Sequence, residues 1–168
     1  SSIYITVGTG IGVGVILDGK AVHGMQHPEA GHILLVRHPE DNYTGRCPYH
    51  PNCLEGLASG PAIEERFGVK AAELPGDSLA WEIESFYLAQ ALVDFTLVYS
   101  PKRIVLGGGV MHQEQLFPLI REKVLEMVAG YIQTEELADI DHFIVPASLH
   151  DDQGIMGCLE LARRELQN

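Results

Sequence analysis

Ile3-Tyr4-Ile5-Thr6-Val7-Gly8-Thr9-Gly10-Ile11-Gly12-Val13-Gly14-Val15-Ile16-Leu17 is the stretch from which the fold can be read. Ile3 to Val7 is rich in β-branched residues and reads as a strand. A glycine loop, Gly8 to Gly12, leads into a second strand over Val13 to Leu17. Asp18-Gly19 is a two-residue hairpin signal that returns the chain into Lys20 to His23. The first 24 residues therefore read as an antiparallel meander with a glycine loop at one turn.

Glycines in such a loop let backbone approach a ligand, and successive amides form an anion-binding nest to which Thr9 adds a hydroxyl. No Gly-Lys-Ser/Thr follows, so this is not a Walker loop. A strand comes next instead of a helix, so it is not a dinucleotide fingerprint either. Alone, it is equally well a tight β-turn. A second cluster, Gly107-Gly108-Gly109 after the β-type run Arg103 to Leu106, lies at a strand-to-helix transition where open sheets bind ligands. Together the two clusters favour a nucleotide held between strand ends.

Between them lies a long, weakly periodic segment, residues 26–53, with a possible short strand at Ile33 to Val36. It carries Glu29-Ala30-Gly31-His32 and Cys47-Pro48-Tyr49-His50-Pro51-Asn52-Cys53-Leu54-Glu55. His32, Cys47, His50 and Cys53 form a zinc-type quartet in which two thiolates balance the metal charge. Pro48 and Pro51 stiffen the turn and reduce the entropy lost on binding. A loop of this length needs a staple, and zinc would be one. Glu29 and Glu55 flank the ligands and suit the vicinal hydroxyls of a sugar. His32 can serve twice, one ring nitrogen on metal and the other donating to a sugar hydroxyl.

Beyond the loop, a short helix is expected over Leu54 to Ala58. Another runs from Pro61 to Phe67, stopped by Gly68. A long helix spans Leu79 to Tyr99, capped by Ser78, with its later turns buried on more than one face. Leu116 to Val128 follows helical spacing, and Pro118 must lie in that helix's first turn or kink it. Phe143 to Val145 is a strand, and Asp151 or Asp152 caps a last helix reaching about Leu166. In that helix Gly154 and Gly157 are expected to allow close packing, and Cys158 to be a small core residue. No repeat is visible at solenoid periods.

The 168 residues suffice for one well-cored domain. A net charge of −12 disfavours nucleic acid and anionic membrane as partners. Three cysteines, two at metal-like spacing, argue for a reducing compartment, and the expected location is cytoplasmic. No apolar run approaches transmembrane length. Because Ser1-Ser2 passes at once into a strand, the chain reads as one entered in mid-fold.

The glycine loop at 8–12, Glu29-x-Gly31-His32, the Cys/His cluster ending Cys53-x-Glu55, and Leu106-Gly107-Gly108-Gly109 together resemble the ROK family of sugar kinases and sugar-responsive repressors. With His50 in the middle metal position, the segment is similar to the family's bacterial ATP-dependent fructokinases. The resemblance implies an α/β, actin-like and ribonuclease-H-like ATPase domain: a mixed β-sheet with an N-terminal antiparallel meander, flanked by helices, plus a zinc-organised loop. Residues 1–168 would be the C-terminal lobe of a two-lobed kinase. It implies structural zinc at His32, Cys47, His50 and Cys53, and sugar contacts from Glu29, His32 and Glu55. ATP with Mg²⁺ would meet Thr9, Gly10, Pro61, Gly108, Gly109 and Gln113. The family's Asp-x-Gly-Gly-Thr segment and its catalytic Asp do not occur here, so the partner implied is a missing N-terminal lobe, and the chain alone is expected to be inactive. A homodimer is also expected from the apolar surface of the long helix. Two alternatives stand beside the kinase: the sugar-sensing domain of a ROK-type repressor, and a zinc-stabilised interaction module.

Overall fold

The structure, a computed structural model, describes residues 1–149 and 152–166. Its strands are β1 (Ser2–Val7), β2 (Ile11–Leu17), β3 (Lys20–Ala21), β4 (Ile104–Gly107) and β5 (Ile144–Pro146), forming one sheet in the order β3-β2-β1-β4-β5. The meander is antiparallel, whereas β4 is parallel to β1 and β5 is parallel to β4. Asp18 and Gly19 both take positive φ (50° and 75°), the backbone a tight primed hairpin turn needs.

Period-two alternation sets the core. Ile3, Ile5 and Val7 are buried and lie opposite Val15, Val13 and Ile11, which are buried too. Ile104 and Leu106 continue the same apolar layer across the parallel pairing. The other face carries Tyr4, Thr6, Gly12 and Gly14, none of them buried.

The helices are α1 (Leu54–Ala58), α2 (Gly60–Phe67), α3 (Leu79–Tyr99), α4 (Leu116–Val128), α5 (Glu135–Ala138), α6 (Ile140–Phe143) and α7 (Gln153–Glu165). Ser78 caps α3 by accepting from the Ala80 amide, and Ser100 ends it in the left-handed region. α3 and α4 make the most extensive helix–helix contact. The turns of α3 that are buried on nearly every side lie in its first two-thirds, Ala80 to Val93. In the later turns Asp94, Leu97 and Val98 are exposed, which corrects the expectation from sequence. Pro118 does fall in the first turn of α4, where its missing N–H costs nothing.

Three further expectations are corrected. Ile33 to Val36 forms no strand: Leu34 makes one isolated bridge with Cys53, and the surrounding segment follows side-chain anchors instead. Phe143 closes α6, so β5 begins one residue later. Cys158 is exposed, and Gly154 and Gly157 have open space where a side chain would be, because no residue of α7 is buried. Arg164 ties that helix to the Gly19 carbonyl at 2.9 Å. The candidate cap Asp151, like His150, lies outside the described residues. No helix among the described residues is long and apolar enough to cross a membrane.

Candidate active-site cleft and metal cluster

The segment from residue 33 to 53 is held by anchors that sequence reasoning missed. Arg37 donates its guanidinium to the carbonyls of Tyr43, Thr44 and Pro51, a planar fork closing the loop on itself. Gln90 of α3 clamps the Val36 peptide from both sides, accepting from its N–H at 3.0 Å and donating to its carbonyl at 2.9 Å. Asp41 accepts from the Tyr87 hydroxyl at 2.6 Å, from Arg66 Nε at 3.1 Å and from the Tyr43 amide at 3.0 Å. Arg66 also donates to the Leu57 carbonyl and lies under the Tyr43 ring. Burial alone would raise the Asp41 pKa. The hydrogen bonds from Tyr87 and Tyr43 and the Arg66 charge outweigh it, so the carboxyl sits below its ordinary value. Burial, with the Asp41 carboxylate beside it, pushes the Tyr87 phenol up to about 12 and keeps it a donor.

On this frame the four metal-type residues come together. One donor atom from each of His32, Cys47, His50 and Cys53 lies within 4.8 Å of every other. His32 Nδ1 is 3.9 Å from the Cys47 sulfur and 3.5 Å from that of Cys53, and His50 Nδ1 is 3.6 Å from Cys47. Zinc bonds of 2.0–2.3 Å in a tetrahedron place ligand atoms about 3.3–3.8 Å apart, so the donor set suits zinc and the 3.5 and 3.6 Å separations match, while the 3.9 Å pair would have to draw in slightly. A hydrogen bond from the Tyr49 amide is the main influence holding the Cys47 thiol below its usual range, whereas burial pushes Cys53 up. Cys53 also caps α1, accepting from the Gly56 amide.

The two ring nitrogens of His32 face different neighbours. Nδ1 faces the thiols, and Nε2 points the other way, 3.9 Å from Glu55 Oε1. The second oxygen of Glu55 accepts from the Ile11 amide at 2.9 Å and lies where a Cβ on Gly10 would be, 2.6 Å away. Gly31 rests against the same turn: a Cβ there would be 2.0 Å from the Ile11 carbonyl oxygen, which no side chain tolerates. Glu29 stands exposed at the start of the 3₁₀ turn Ala30–His32. The segment of metal-type residues and carboxylates is thus packed on the glycine loop.

The loop's other side opens into a cleft of about 360 Å³. Gly60 donates its N–H to the Gly8 carbonyl at 2.8 Å, which starts α2 at the turn. Gly8, Thr9, Pro61 and Gly109 line this cleft together. Gly108 takes φ +93°, and a Cβ there would strike the Val7 backbone, so β4 turns sharply beside β1. That residue faces a larger recess of about 680 Å³ bounded by Arg121 and Pro146, away from the sugar and metal candidates. Gly10 meets Glu55 and Gln113 accepts from Gln115, and neither is among the residues lining the 360 Å³ cleft. Glu64, Lys70, Ala71 and Ala72 do, and sequence reading passed over them. Their only signal was position, one turn along from Pro61 and just after the Gly68 reversal.

The family model described as "ROK family" matches residues 1–165. A fructokinase of Pediococcus pentosaceus is 47% identical over 168 residues, covering 100% of this chain and 57% of that protein. The ROK hexokinase of Thermus thermophilus superposes with a TM-score of 0.75 at 26% identity, covering 96% of this chain and 58% of its own. A ROK glucokinase from Streptomyces griseus, solved with glucose and AMPPNP, gives 0.66 at 26% identity, covering 97% and 60%. The chain therefore spans a little over half the length of these proteins. From its strand order, its glycine turns and its match over nearly every residue, the chain belongs to the ROK family.

Proposed function

We propose that this chain is one lobe of an ATP-dependent hexose kinase whose sugar is fructose. The observation that carries the reading is the double engagement of Glu55: one oxygen on the Ile11 amide of the glycine turn, the other facing His32. A single carboxylate thereby couples a sugar-suited wall to a phosphate-suited turn. The fructokinase relatives, 40–51% identical over most or all of the chain, support the choice of sugar.

Thr9, through its hydroxyl and amide, with the Gly10 amide at the edge of the same turn, would receive the phosphates of ATP, which arrives with Mg²⁺ as phosphoryl transfer requires. Pro61 and Gly109 would flank the nucleoside, with Gly108 and Gln113 shaping the turn behind it. Glu29, Glu55 and His32 Nε2 would hold the hexose hydroxyls by charge-assisted hydrogen bonds. His32 Nδ1, Cys47, His50 and Cys53 would hold zinc. When bound it supplies a rigid brace, since four protein ligands leave no open position.

In the reaction a sugar hydroxyl oxygen bonds to the γ-phosphorus as the bond to ADP breaks, and the hydroxyl proton passes to a base. That base would come from a second lobe outside this chain, and closure between lobes would exclude water. The test is a coupled ADP-release assay on the 168-residue chain, alone and mixed with the complementary part of a fructokinase relative. No turnover alone, and turnover on fructose above glucose and mannose in the mixture, is the expected result. Turnover by the chain alone would refute the base assignment. Failure to bind either ATP or any hexose would refute the kinase reading.

A further inference from the structure

The cleft along α2 has a direction. Its near end is the glycine turn, because the Gly60 amide is bonded to the Gly8 carbonyl and Thr9 stands at the rim. Pro61 and Glu64 are three residues apart on one helix, so both face the cleft, and Glu64 lies about 5 Å farther along it. Gly68 then reverses the chain at φ +78°, and Lys70, Ala71 and Ala72 return to close the far end. Among the described residues lining the cleft, Glu64 is the one carboxylate and Lys70 the one cation.

A carboxylate is a poor neighbour for a triphosphate and must sit beyond it. One helical turn past the phosphate end is the step from an α-phosphate to its ribose. A carboxylate is acceptor-only and presents two oxygens, which matches two vicinal hydroxyl donors. Ala71 and Ala72 offer a base little beyond small apolar walls, so they select flatness and size without reading its edge. Lys70, at the same end, offsets the Glu64 charge that would otherwise repel an incoming anion.

We infer that Glu64 is the ribose-reading residue of the nucleotide site, accepting hydrogen bonds from the 2′- and 3′-hydroxyls, and that the site discriminates sugars of the nucleotide more strongly than bases. This rests on the reading that a nucleoside triphosphate occupies the cleft. Specificity would then be for ribonucleotides over deoxynucleotides, with ATP and GTP separated only weakly.

The experiment is calorimetric titration of the chain with ATP, GTP and 2′,3′-dideoxy-ATP, repeated with Glu64→Ala and Lys70→Ala. Wild type should bind ATP about tenfold or more tightly than the dideoxy compound, the loss expected for charge-assisted hydrogen bonds. Glu64→Ala should abolish that preference while binding dideoxy-ATP at least as tightly as wild type does, which also shows that the variant is folded. Lys70→Ala should weaken ATP and dideoxy-ATP equally, with a reduced salt dependence. A preference that survives in Glu64→Ala, or a tenfold preference of ATP over GTP, would overturn the inference while leaving ATP binding intact. Absence of any ATP binding by wild type would overturn both the inference and the nucleotide reading beneath it.

Discussion

Glu55 accepts from the Ile11 amide at 2.9 Å while its other carboxylate oxygen lies 3.9 Å from His32 Nε2. One side chain thus bonds to the glycine turn and reaches the edge of the His/Cys cluster. The two roles separate by substitution. Glu55→Gln keeps an acceptor for Ile11 but loses the charge, so fructose affinity should fall about tenfold with thermal stability nearly unchanged. Glu55→Ala loses both, and should in addition cost about 1 kcal/mol of stability. Titration with fructose and thermal denaturation of the two variants check this.

Asp41 and Arg66 give a dependence on acid. Both side chains are nearly fully buried. Asp41 has a lower pKa in the fold than in the unfolded chain, despite burial that acts the other way. Its contribution is complete above the unfolded value near 4 and is lost as pH falls through the lower folded value. Melting temperature should therefore drop as pH goes below about 4. Asp41→Asn should flatten that decline and cost about 3 kcal/mol at neutral pH by leaving Arg66 buried without its counter-charge. Denaturation curves from pH 2 to 7 measure both effects.

Glu84 has the opposite sign. It is completely buried in α3, neither oxygen has a hydrogen-bond partner, and burial raises its pKa well above the ordinary carboxylate value, only partly opposed by the Arg66 charge. The fold favours its neutral form, so its stability cost is absent below the unfolded value near 4.5 and grows as pH rises towards the higher folded value. Glu84→Gln should melt at the same temperature as wild type near pH 4 and higher at pH 7, by about 2–4 °C for each kcal/mol regained. Equal melting temperatures at both pH values would contradict a buried neutral acid.

Gly31 has no room for a methyl group, since its Cβ would overlap the Ile11 carbonyl. Gly31→Ala should lower stability by about 1–3 kcal/mol. It should also displace the 3₁₀ turn that carries His32, which amide chemical shifts at residues 9–12 and 29–33 would report.

How much of this was legible in the sequence varies with the range of the interaction. The meander, α1, α2, α3 and α4 follow from local signals: β-branched alternation, Asp18-Gly19, Pro61, Gly68, Ser78 and Pro118. The convergence of His32, Cys47, His50 and Cys53 was legible because spacing constrains metal donors. What holds the loop was not. Arg37 bonds to carbonyls 6 to 14 residues away, Gln90 grips a peptide 54 residues away, and the Asp41–Arg66–Tyr87 group joins three separate elements. None of these pairs carries a periodicity. The exposed state of α7 was illegible for a related reason: its apolar residues keep helical spacing, and spacing does not say whether anything covers them.

Native mass spectrometry of the chain, refolded with excess zinc and then desalted, tests the central claim most directly. If His32, Cys47, His50 and Cys53 close on a metal that braces His32 and Glu55 beside the glycine turn, the spectrum will show one zinc per chain. The ion should be absent when Cys47 and Cys53 are both replaced by serine. A metal-free chain under these conditions, or one zinc retained by the double variant, would contradict it.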